Sequence, residues 1–579
     1  MSQLNITEKI NREIDTNLNV SILFFAVNSS YSHTMLSYGY IRSAVEKKNK
    51  NYKWAFKEYT LKDDIDSVCA DIIKYKPDIV LSTLYLFNRE FVTEVLGTVS
   101  IILPEIAVFL GGPEFLGDNW SFLREYKFVD AVIRGDESSL YRLLESYKKP
   151  MLWQEIPGVC VISDGVYLDN GTACFKDEDI GSLISPYYDE LLITKKPFMQ
   201  LETTRGCRGK CSFCTSAVSK YREIMTLSDV RQALTILRKA CQKEIRVVDR
   251  TFNDNGQRAV DMLSLFVNEF SDMHFHLEIN PAILSDNLVE VIKNFPVGML
   301  HIEVGIQTLD KNVSSEVRRY GVVERTLNGL KILCSLTNIE IHADLIAGLP
   351  DQTIESVFQD TRIIIEIMPS ELQLEILKIL NGTPISEQVD KAGFFFLNHP
   401  PYGVIKTPSM SYFDILTIKR LSKIIDGYYN VSVLKSLFRF LCLKYSLFLE
   451  DFTKFYSERN KINAKLHLSA RFKFLKEFIA EYNDKKVEDL LQFSWLAAGM
   501  QISEYGIKSI SGHPSDGLEV IWQKEEPVFS KRYFEVSFAW NVGDIWLNSN
   551  SKIVNERTTY IFKLAYGNHP ASISKVPAT

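Results

Sequence analysis

The chain has 579 residues, 46% of them hydrophobic and 24% charged, which is the balance of a globular protein and excludes a disordered or fibrous one. A net charge of −6 gives no global electrostatic case for nucleic-acid binding, although a local basic patch can hide in that average. No apolar run reaches membrane-spanning length, since residues 99–110 are interrupted by Pro104 and Glu105, and the chain is long enough for roughly three or four domains.

Residues 1–18 mix acids, amides and a few apolar side chains without an uncharged core. They read as a solvated lead-in and not as a signal peptide, so a cytoplasmic protein is expected. In that reducing compartment the nine cysteines are ligands or buried thiols before they are disulfides. Cys69, Cys160, Cys174, Cys241, Cys334 and Cys442 are scattered singly and read as apolar packing.

From residue 19 to 150, strands and helices alternate. Strand 20–27 ends in a polar loop, helix 35–48 follows, and helix 65–75 leads to strand 77–84. Helix 89–100 leads to strand 107–110, and strand 130–133 leads into helix 138–147. This alternation predicts a doubly wound, Rossmann-like parallel sheet with a ligand site at the carboxyl ends of the strands. The residues gathered there are Ser30, Tyr31 and His33; Ser82, Thr83 and Tyr85; Gly111, Gly112, Pro113 and Glu114; and Gly135 and Glu137. Such glycines and hydroxyls either let a bulky planar cofactor approach the backbone or simply terminate strands.

Residues 151–196 read as a linker with a small hairpin turning at Asp164-Gly165, then Ser185-Pro186 leading to the next unit. From 197 to 411 the alternation resumes on a larger scale. Strands begin near residues 198, 244, 275, 299, 340 and 371, with helices at 227–240, 256–270, 285–294, 325–336 and 354–367. Six such repeats predict a partial (β/α)6 TIM-type barrel with its functional loops at the strand C-termini. Residues 412–579 read as a mixed α+β domain, helical over 412–482 with strands near 535–541 and 558–566. Its aromatics read as core, and substrate selection is assigned to it because the rest of the chain is otherwise accounted for.

The first barrel strand runs into Cys207, Cys211 and Cys214, spaced C-x3-C-x2-C. Four cysteines saturate a zinc ion or an iron-sulfur cluster, whereas three leave one metal corner open for a substrate or cofactor. A zinc site needs a fourth ligand, and no further Cys or His lies within zinc-knuckle distance of Cys214.

These three cysteines, with Phe213 in the aromatic position before the third, match the signature of the radical S-adenosylmethionine (SAM) enzymes. The unit over residues 19–150 resembles the cobalamin-binding domain at the front of the cobalamin-dependent members, and the stretches 247–253, 302–308 and 344–350 resemble a subgroup with a distinctive C-terminal domain. The resemblance implies a [4Fe-4S] cluster on Cys207, Cys211 and Cys214, with S-adenosyl-L-methionine on the open iron. It implies SAM contacts from Phe213, Val248, Asp249, Glu278, Glu303, Gln307 and Gly348, with Arg318 or Arg319 for the carboxylate. The strand-end residues named above would hold cobalamin. Many cobalamin proteins carry Asp-x-His-x-x-Gly in the first loop; here His33 lacks both the aspartate and the glycine, so cobalamin is expected without His33 as its lower ligand.

The implied activity is methyl transfer (class B) to an unactivated carbon of a natural product, peptide or other small substrate. A 5′-deoxyadenosyl radical would drive it, and flavodoxin or ferredoxin would supply single electrons. The same cofactors also support cyclisation, ring contraction or rearrangement. A methylthiotransferase acting on RNA would want a second cysteine trio and a basic terminal domain, but Cys69, Cys160 and Cys174 lie far apart. A cobalamin or iron-sulfur sensor would want a signalling module, and none is evident. Neither nucleic acid nor membrane is expected as a partner.

Overall fold

The computed structural model describes residues 20–48, 51–174, 196–389, 393–459, 465–512, 514, 518–524, 532–548, 551–564 and 570–577. The expected lead-in over 1–18 and the stretch of the expected linker around Ser185 lie outside them.

In the N-terminal unit, β1 (Val20–Asn28) buries residues 22–27 completely, as a strand covered on both faces must. It is followed by β2 (Tyr52–Thr60), β3 (Ile79–Thr83), β4 (Ala107–Gly111) and β5 (Ala131–Ile133), all parallel, in the order β2-β1-β3-β4-β5. The sequence reading passed over β2. Its Tyr52, Trp54 and Phe56 alternate onto one face and pack with Phe24 and Tyr38, Phe56 stacking on Tyr38 at 4.4 Å. The hairpin of β6 (Val159–Ser163) and β7 (Val166–Asp169) turns through Asp164 and Gly165, both at positive φ, as expected for a two-residue turn. It adds two antiparallel strands beyond β5, so residues 159–169 continue the N-terminal sheet and are not a free linker. The chain changes direction between β1 and β3, the place where open α/β sheets bind ligands.

The central unit begins with β8 (Met199–Leu201), followed by a two-strand hairpin of β9 (Thr204–Arg205) and β10 (Arg222–Glu223). Then come β11 (Glu244–Val247), β12 (His274–Ile279), β13 (Leu300–Gln307), β14 (Glu340–Ala347) and β15 (Glu371–Ile376). The six long-range partners run parallel in the order β15-β14-β13-β12-β11-β8, which is an open barrel. Alternate residues of β12 to β14 are buried beneath the helices while the others are half-buried and face the lumen. The helices are set by local signals such as the capping boxes at Thr226/Asp229 and Thr353/Ser356.

The C-terminal unit packs helices Tyr412–Ile424, Ser432–Lys444, Phe448–Arg459, Leu468–Ile479 and Lys485–Ala497 with a five-stranded antiparallel sheet. Its apolar side chains belong to the same continuous core as the barrel. A π-turn, Ile425–Tyr429, delivers Asn430 to the edge of β15. There the Asn430 amide donates to Leu372 O (2.8 Å) and its Oδ1 accepts from Leu372 N (3.0 Å), pairing the edge as a neighbouring strand would. Among the described residues no helix is long and apolar enough to cross a membrane. Of the six scattered cysteines, Cys69, Cys160 and Cys442 are buried and Cys334 is half-buried, but Cys174 and Cys241 are exposed and do not serve packing.

The N-terminal unit lies against both sides of the barrel opening. At β8, Thr34 N donates to Gln200 Oε1 (3.1 Å), and Lys196 Nζ donates to Tyr31 O and His33 O (2.8 Å each) and to Glu58 (2.6 Å). Arg205 joins Glu137 (2.6 Å) to Glu202 (2.8 Å) and stacks on Tyr40. Beyond β15, Tyr402 accepts from Arg89 and donates to Glu114, both at 2.5 Å. Gly382, at φ +75, has room for no side chain, because a β-carbon would lie 2.4 Å from the Leu116 backbone. Arg205→Met removes the cation between two carboxylates. We expect a loss of about 3 kcal/mol in denaturant unfolding, partly restored by adding Glu137→Gln; equal stability of all three proteins would refute the clamp.

Candidate functional site at the cysteine loop

The loop is held at its base by a buried carboxylate. Val248 N donates to Leu201 O (2.9 Å), which sets the next residue, Asp249, beneath the end of β8. The Asp249 carboxylate accepts from Thr203 N (2.7 Å), Thr203 Oγ1 (2.5 Å) and Thr204 N (3.0 Å). Burial pushes its pKa up, and these donors oppose the rise. Arg258 ties the same turn to Met225 O (2.8 Å) and Thr203 O (3.2 Å). Gly206, at φ +76, closes against Lys220, where a β-carbon would sit 2.4 Å from the carbonyl oxygen.

Within the loop, Gly209 N donates to Cys207 Sγ (3.2 Å) and the Thr251 hydroxyl lies 3.4 Å from the same sulfur. Arg319 donates to Cys211 Sγ (3.7 Å), and Cys214 N donates to Cys211 O (3.1 Å). Burial raises the Cys207 thiol, and the Thr251 hydroxyl and the Gly209 N–H oppose the rise. Among the described residues no three His, Cys, Asp or Glu side chains gather closely enough to share one metal ion. A cluster makes no such demand, because each thiolate meets a different iron, and the donor set of three thiols around one glycine-backed hollow fits it.

The three cysteines open on a cavity of about 170 Å³. Of the residues expected at SAM, Phe213, Glu278, Glu303 and Gln307 line it. Val248 and Asp249 lie under it in the strand-end hydrogen bonds just described. Gly348 sits at the end of β14 at φ +89, facing Val404, Leu377 and Ile415, and does not line the cavity. Arg318 does not line it either. It takes a left-handed conformation (φ 52) just past the helix end at Val317, and it is the following Arg319 that returns to the cavity. Arg250, Thr251 and Asp344 also line it and were not singled out from the sequence. Arg250 and Thr251 follow β11 and Asp344 stands on β14, so two segments far apart in the chain bring them together.

The charges are arranged in pairs. Arg250 acts by its charge on Glu278 and Cys214; desolvation raises the Glu278 carboxyl and Arg250 pulls it back. Glu303 is held low by His276, 3.2 Å away. Asp344, buried and beside the Glu303 carboxylate, is pushed well above the usual carboxylate range. Two adjoining carboxyls cannot both ionise cheaply, so the proton rests on Asp344. His342 Nε2 approaches Asp344 Oδ1 to 3.3 Å, but that oxygen has no aligned hydrogen bond. Between them in the row of lumen histidines, burial and the two neighbouring imidazoles push His301 down to about 4.

The residues expected at cobalamin lie at the carboxyl ends of β1, β3, β4 and β5 or in the loops that follow, but several are already engaged. Ser82 Oγ donates to Phe25 O (2.7 Å) and Thr83 Oγ1 lies 3.1 Å from Ser37 Oγ. Gly112 and Gly135 make close backbone contacts, a β-carbon falling 2.6 Å from Leu84 O and 2.2 Å from Ala173 O respectively. Pro113 starts a short 3-10 turn, and Glu114 and Glu137 serve the interdomain bonds above. Ser30 Oγ lies 3.1 Å from His33 Nδ1, and the His33 ring stands edge-on to Phe198 with Lys196 and Arg246 nearby, which with burial lower its pKa. Gly111 is open on its side-chain side, and Tyr31 and Phe87 are exposed aromatics at the ends of β1 and β3. Tyr85 stacks on Phe87, and its buried phenol feels the charges of Arg250, Glu137 and Glu202, so it stands where the two units meet. A glycine with room at its side-chain position and exposed rings at neighbouring strand ends are features that a planar macrocycle can use.

A family model described as the Radical SAM superfamily matches residues 201–362, and the chain carries a radical SAM domain there. A second, described as a protein of unknown function (DUF4080), matches residues 390–504. The chain is 27% identical over 286 residues to the hopanoid C-3 methylase of Methylococcus capsulatus, covering 48% of this chain and 54% of that one. It spans less than two thirds of the curated relatives it matches. Its fold is similar to that of the radical S-adenosylmethionine methyltransferase TsrM of Kitasatospora setae with cobalamin and [4Fe-4S] cluster bound (TM-score 0.53, 14% identity, 66% of this chain and 76% of that one). It is also similar to that of the cobalamin-dependent S-adenosylmethionine radical enzyme OxsB with aqua-cobalamin bound (TM-score 0.55, 13% identity, 84% and 74%).

Asp344 gives the site a pH signature. A carboxyl whose pKa is higher folded than unfolded contributes stability that is full below about pH 4 and is lost as pH rises towards its folded pKa. His301, depressed to about 4, acts in the opposite sense, losing its contribution as pH falls from about 6.5. Between about pH 6.5 and 8 wild type therefore loses stability faster than Asp344→Asn. Denaturation midpoints measured across that range check this, and parallel pH profiles would refute the neutral Asp344.

Proposed function

We propose that this protein is a cobalamin-dependent radical SAM methyltransferase acting on an unactivated carbon of a small molecule or peptide. The observation that carries the reading is one cavity that unites Cys207, Cys211 and Cys214 with Arg250, Glu278, Glu303 and Arg319, next to an open-ended α/β sheet whose ligand loops face it. The fold shared with TsrM and OxsB, and the kinship with a methylase, support it.

In this reading Cys207, Cys211 and Cys214 hold a [4Fe-4S] cluster, and the cavity beside them holds S-adenosyl-L-methionine. Cobalamin rests on the loops after β1, β3, β4 and β5. When bound, these groups supply a 5′-deoxyadenosyl radical and a transferable methyl group. The chain's own residues orient and shield. Arg250 and Arg319 neutralise carboxylate and thiolate charge, and Glu278 accepts hydrogen bonds from hydroxyls. Neutral Asp344 donates one hydrogen bond where an ionised carboxylate could only accept. Asp249 keeps the loop from shifting, since reacting groups must stay within narrow distances. Tyr85, set between the units, keeps water from the path between the two sites.

Anaerobic reconstitution should give cluster absorbance and, on reduction, release of 5′-deoxyadenosine; Cys211→Ala should lower both by at least about 100-fold, or the ligand assignment fails. A methyl-sized mass gain in the product decides for methylation, and a product of unchanged composition would sink it. Because Ser30 and Phe198 already engage His33, we expect the paramagnetic spectrum of bound cob(II)alamin to show no histidine nitrogen coupling and to be unchanged in His33→Ala.

A further inference from the structure

On the outer side of the cysteine loop lies an open hollow of about 560 Å³ lined by Arg208, Lys210, Lys311, Arg318 and Arg319, with Glu324 as its one carboxylate. The concentration is local, because the chain as a whole carries −6. Arg208, Lys210, Lys311 and Arg318 are exposed, and one nearby carboxylate, Glu324, offsets only part of their charge. Lys210 Nζ donates to a backbone carbonyl, Ala217 O (2.9 Å), and Arg208 stacks on Tyr221. Lys311 alone pairs with a carboxylate, that of Glu324.

This surface also adjoins the cysteine cavity. Arg319 and Tyr320 line both the outer hollow and the cysteine cavity. Arg319 reaches Cys211 Sγ at 3.7 Å, and Gly209, between Arg208 and Lys210 in sequence, is buried among Cys207 Sγ, Cys211 Sγ and the Tyr320 side chain. A β-carbon at Gly209 would lie 3.3 Å from Cys207 Sγ and 3.3 Å from Tyr320 Cβ. One layer of side chains therefore separates the sulfurs from a cationic surface. Exposed, non-reacting charge of one sign steers an oppositely charged protein without contributing much to a tight fit, which suits a carrier that must arrive and leave quickly.

We infer that the Arg208, Lys210, Lys311 and Arg318 surface docks an acidic one-electron carrier protein that reduces the cluster through the wall formed by Arg319, Tyr320 and Gly209. The carrier is oxidised by one electron and the cluster is reduced by one; no covalent bond forms or breaks. The inference rests on the cluster assignment made above.

The test uses the reconstituted full chain and a flavodoxin as probe. Lys210→Glu/Lys311→Glu reverses two charges that touch no cysteine. Binding of oxidised flavodoxin, followed by titration calorimetry, should weaken at least about tenfold at low salt, and wild-type binding should weaken with added salt while the variant's changes little. The rate at which reduced flavodoxin generates the paramagnetic cluster should fall by a similar factor, whereas reduction by titanium(III) citrate should be equal in both proteins. Equal flavodoxin binding and equal reduction rates would overturn the inference. So would inorganic phosphate binding that is lost in the variant while flavodoxin reduction is not, since the hollow would then be a small-anion site. Failure of wild type to assemble a cluster would count against the cluster assignment, and the calorimetry would still judge the docking surface.

Discussion

A parallel sheet that curls without closing leaves two edges, and everything around this barrel follows from how β8 and β15 are covered. Unpaired edge backbone cannot be left open in a core, nor left bare at a surface without inviting aggregation. At β15 the solution is a single side chain: the π-turn before Asn430 presents its amide to both backbone groups of Leu372. At β8 the N-terminal unit supplies the cover through Thr34, the loop pinned by Lys196, and the Arg205 clamp. Because that unit reaches across to Tyr402 and Gly382 as well, its strand ends are brought over the opening. The docking that covers the β8 edge is thus the same one that brings the strand ends of a second α/β sheet over the barrel opening.

Inside the cavity the charges are fixed before any ligand arrives. Arg250 acts on Glu278 by charge, Glu303 is held by His276, and Asp344 keeps its proton because of desolvation and the neighbouring Glu303 charge. In a low-dielectric hollow such prearrangement is worth more than the same groups in water, since no reorganisation is needed when charge moves. The three lumen histidines deepen the effect. His301, in the middle of the row, is driven low by burial and by the imidazoles on either side.

What could be read from the sequence was what is local in the chain. The C-x3-C-x2-C spacing, the six repeats and most helices are encoded within single segments, and the helices Ile65–Tyr75 and Ile354–Ile367 were delimited to the residue. Strand β2 was missed because Lys53, Lys57 and Glu58 dilute a period-two pattern of Tyr52, Trp54 and Phe56. The choice between Arg318 and Arg319 hangs on one left-handed residue, which no spacing rule reveals. Arg250 and Asp344 were passed over because their partners arrive from other strands. The strand-end residues Gly112, Gly135 and Glu137 were read with a ligand in mind, yet each is required by the protein's own backbone or by an interdomain ion pair.

The C-terminal unit bears on substrate selection in an unexpected way. Its aromatics, Tyr428, Phe438, Phe448, Phe452 and Phe478 among them, interlock as rings 5–6.5 Å apart within the core it shares with the barrel. Among the described residues none beyond 411 lines the cysteine cavity. The side chains that can meet a substrate near Cys207, Cys211 and Cys214 come instead from β12, β13 and β14 and the loops after β8 and β11. The C-terminal unit acts on them indirectly, by pairing the edge of β15 through Asn430 and packing against Gly348 at the end of β14 through Ile415. A change in its core would therefore reach the chemistry through the position of those two strands, with no contact to the substrate being needed.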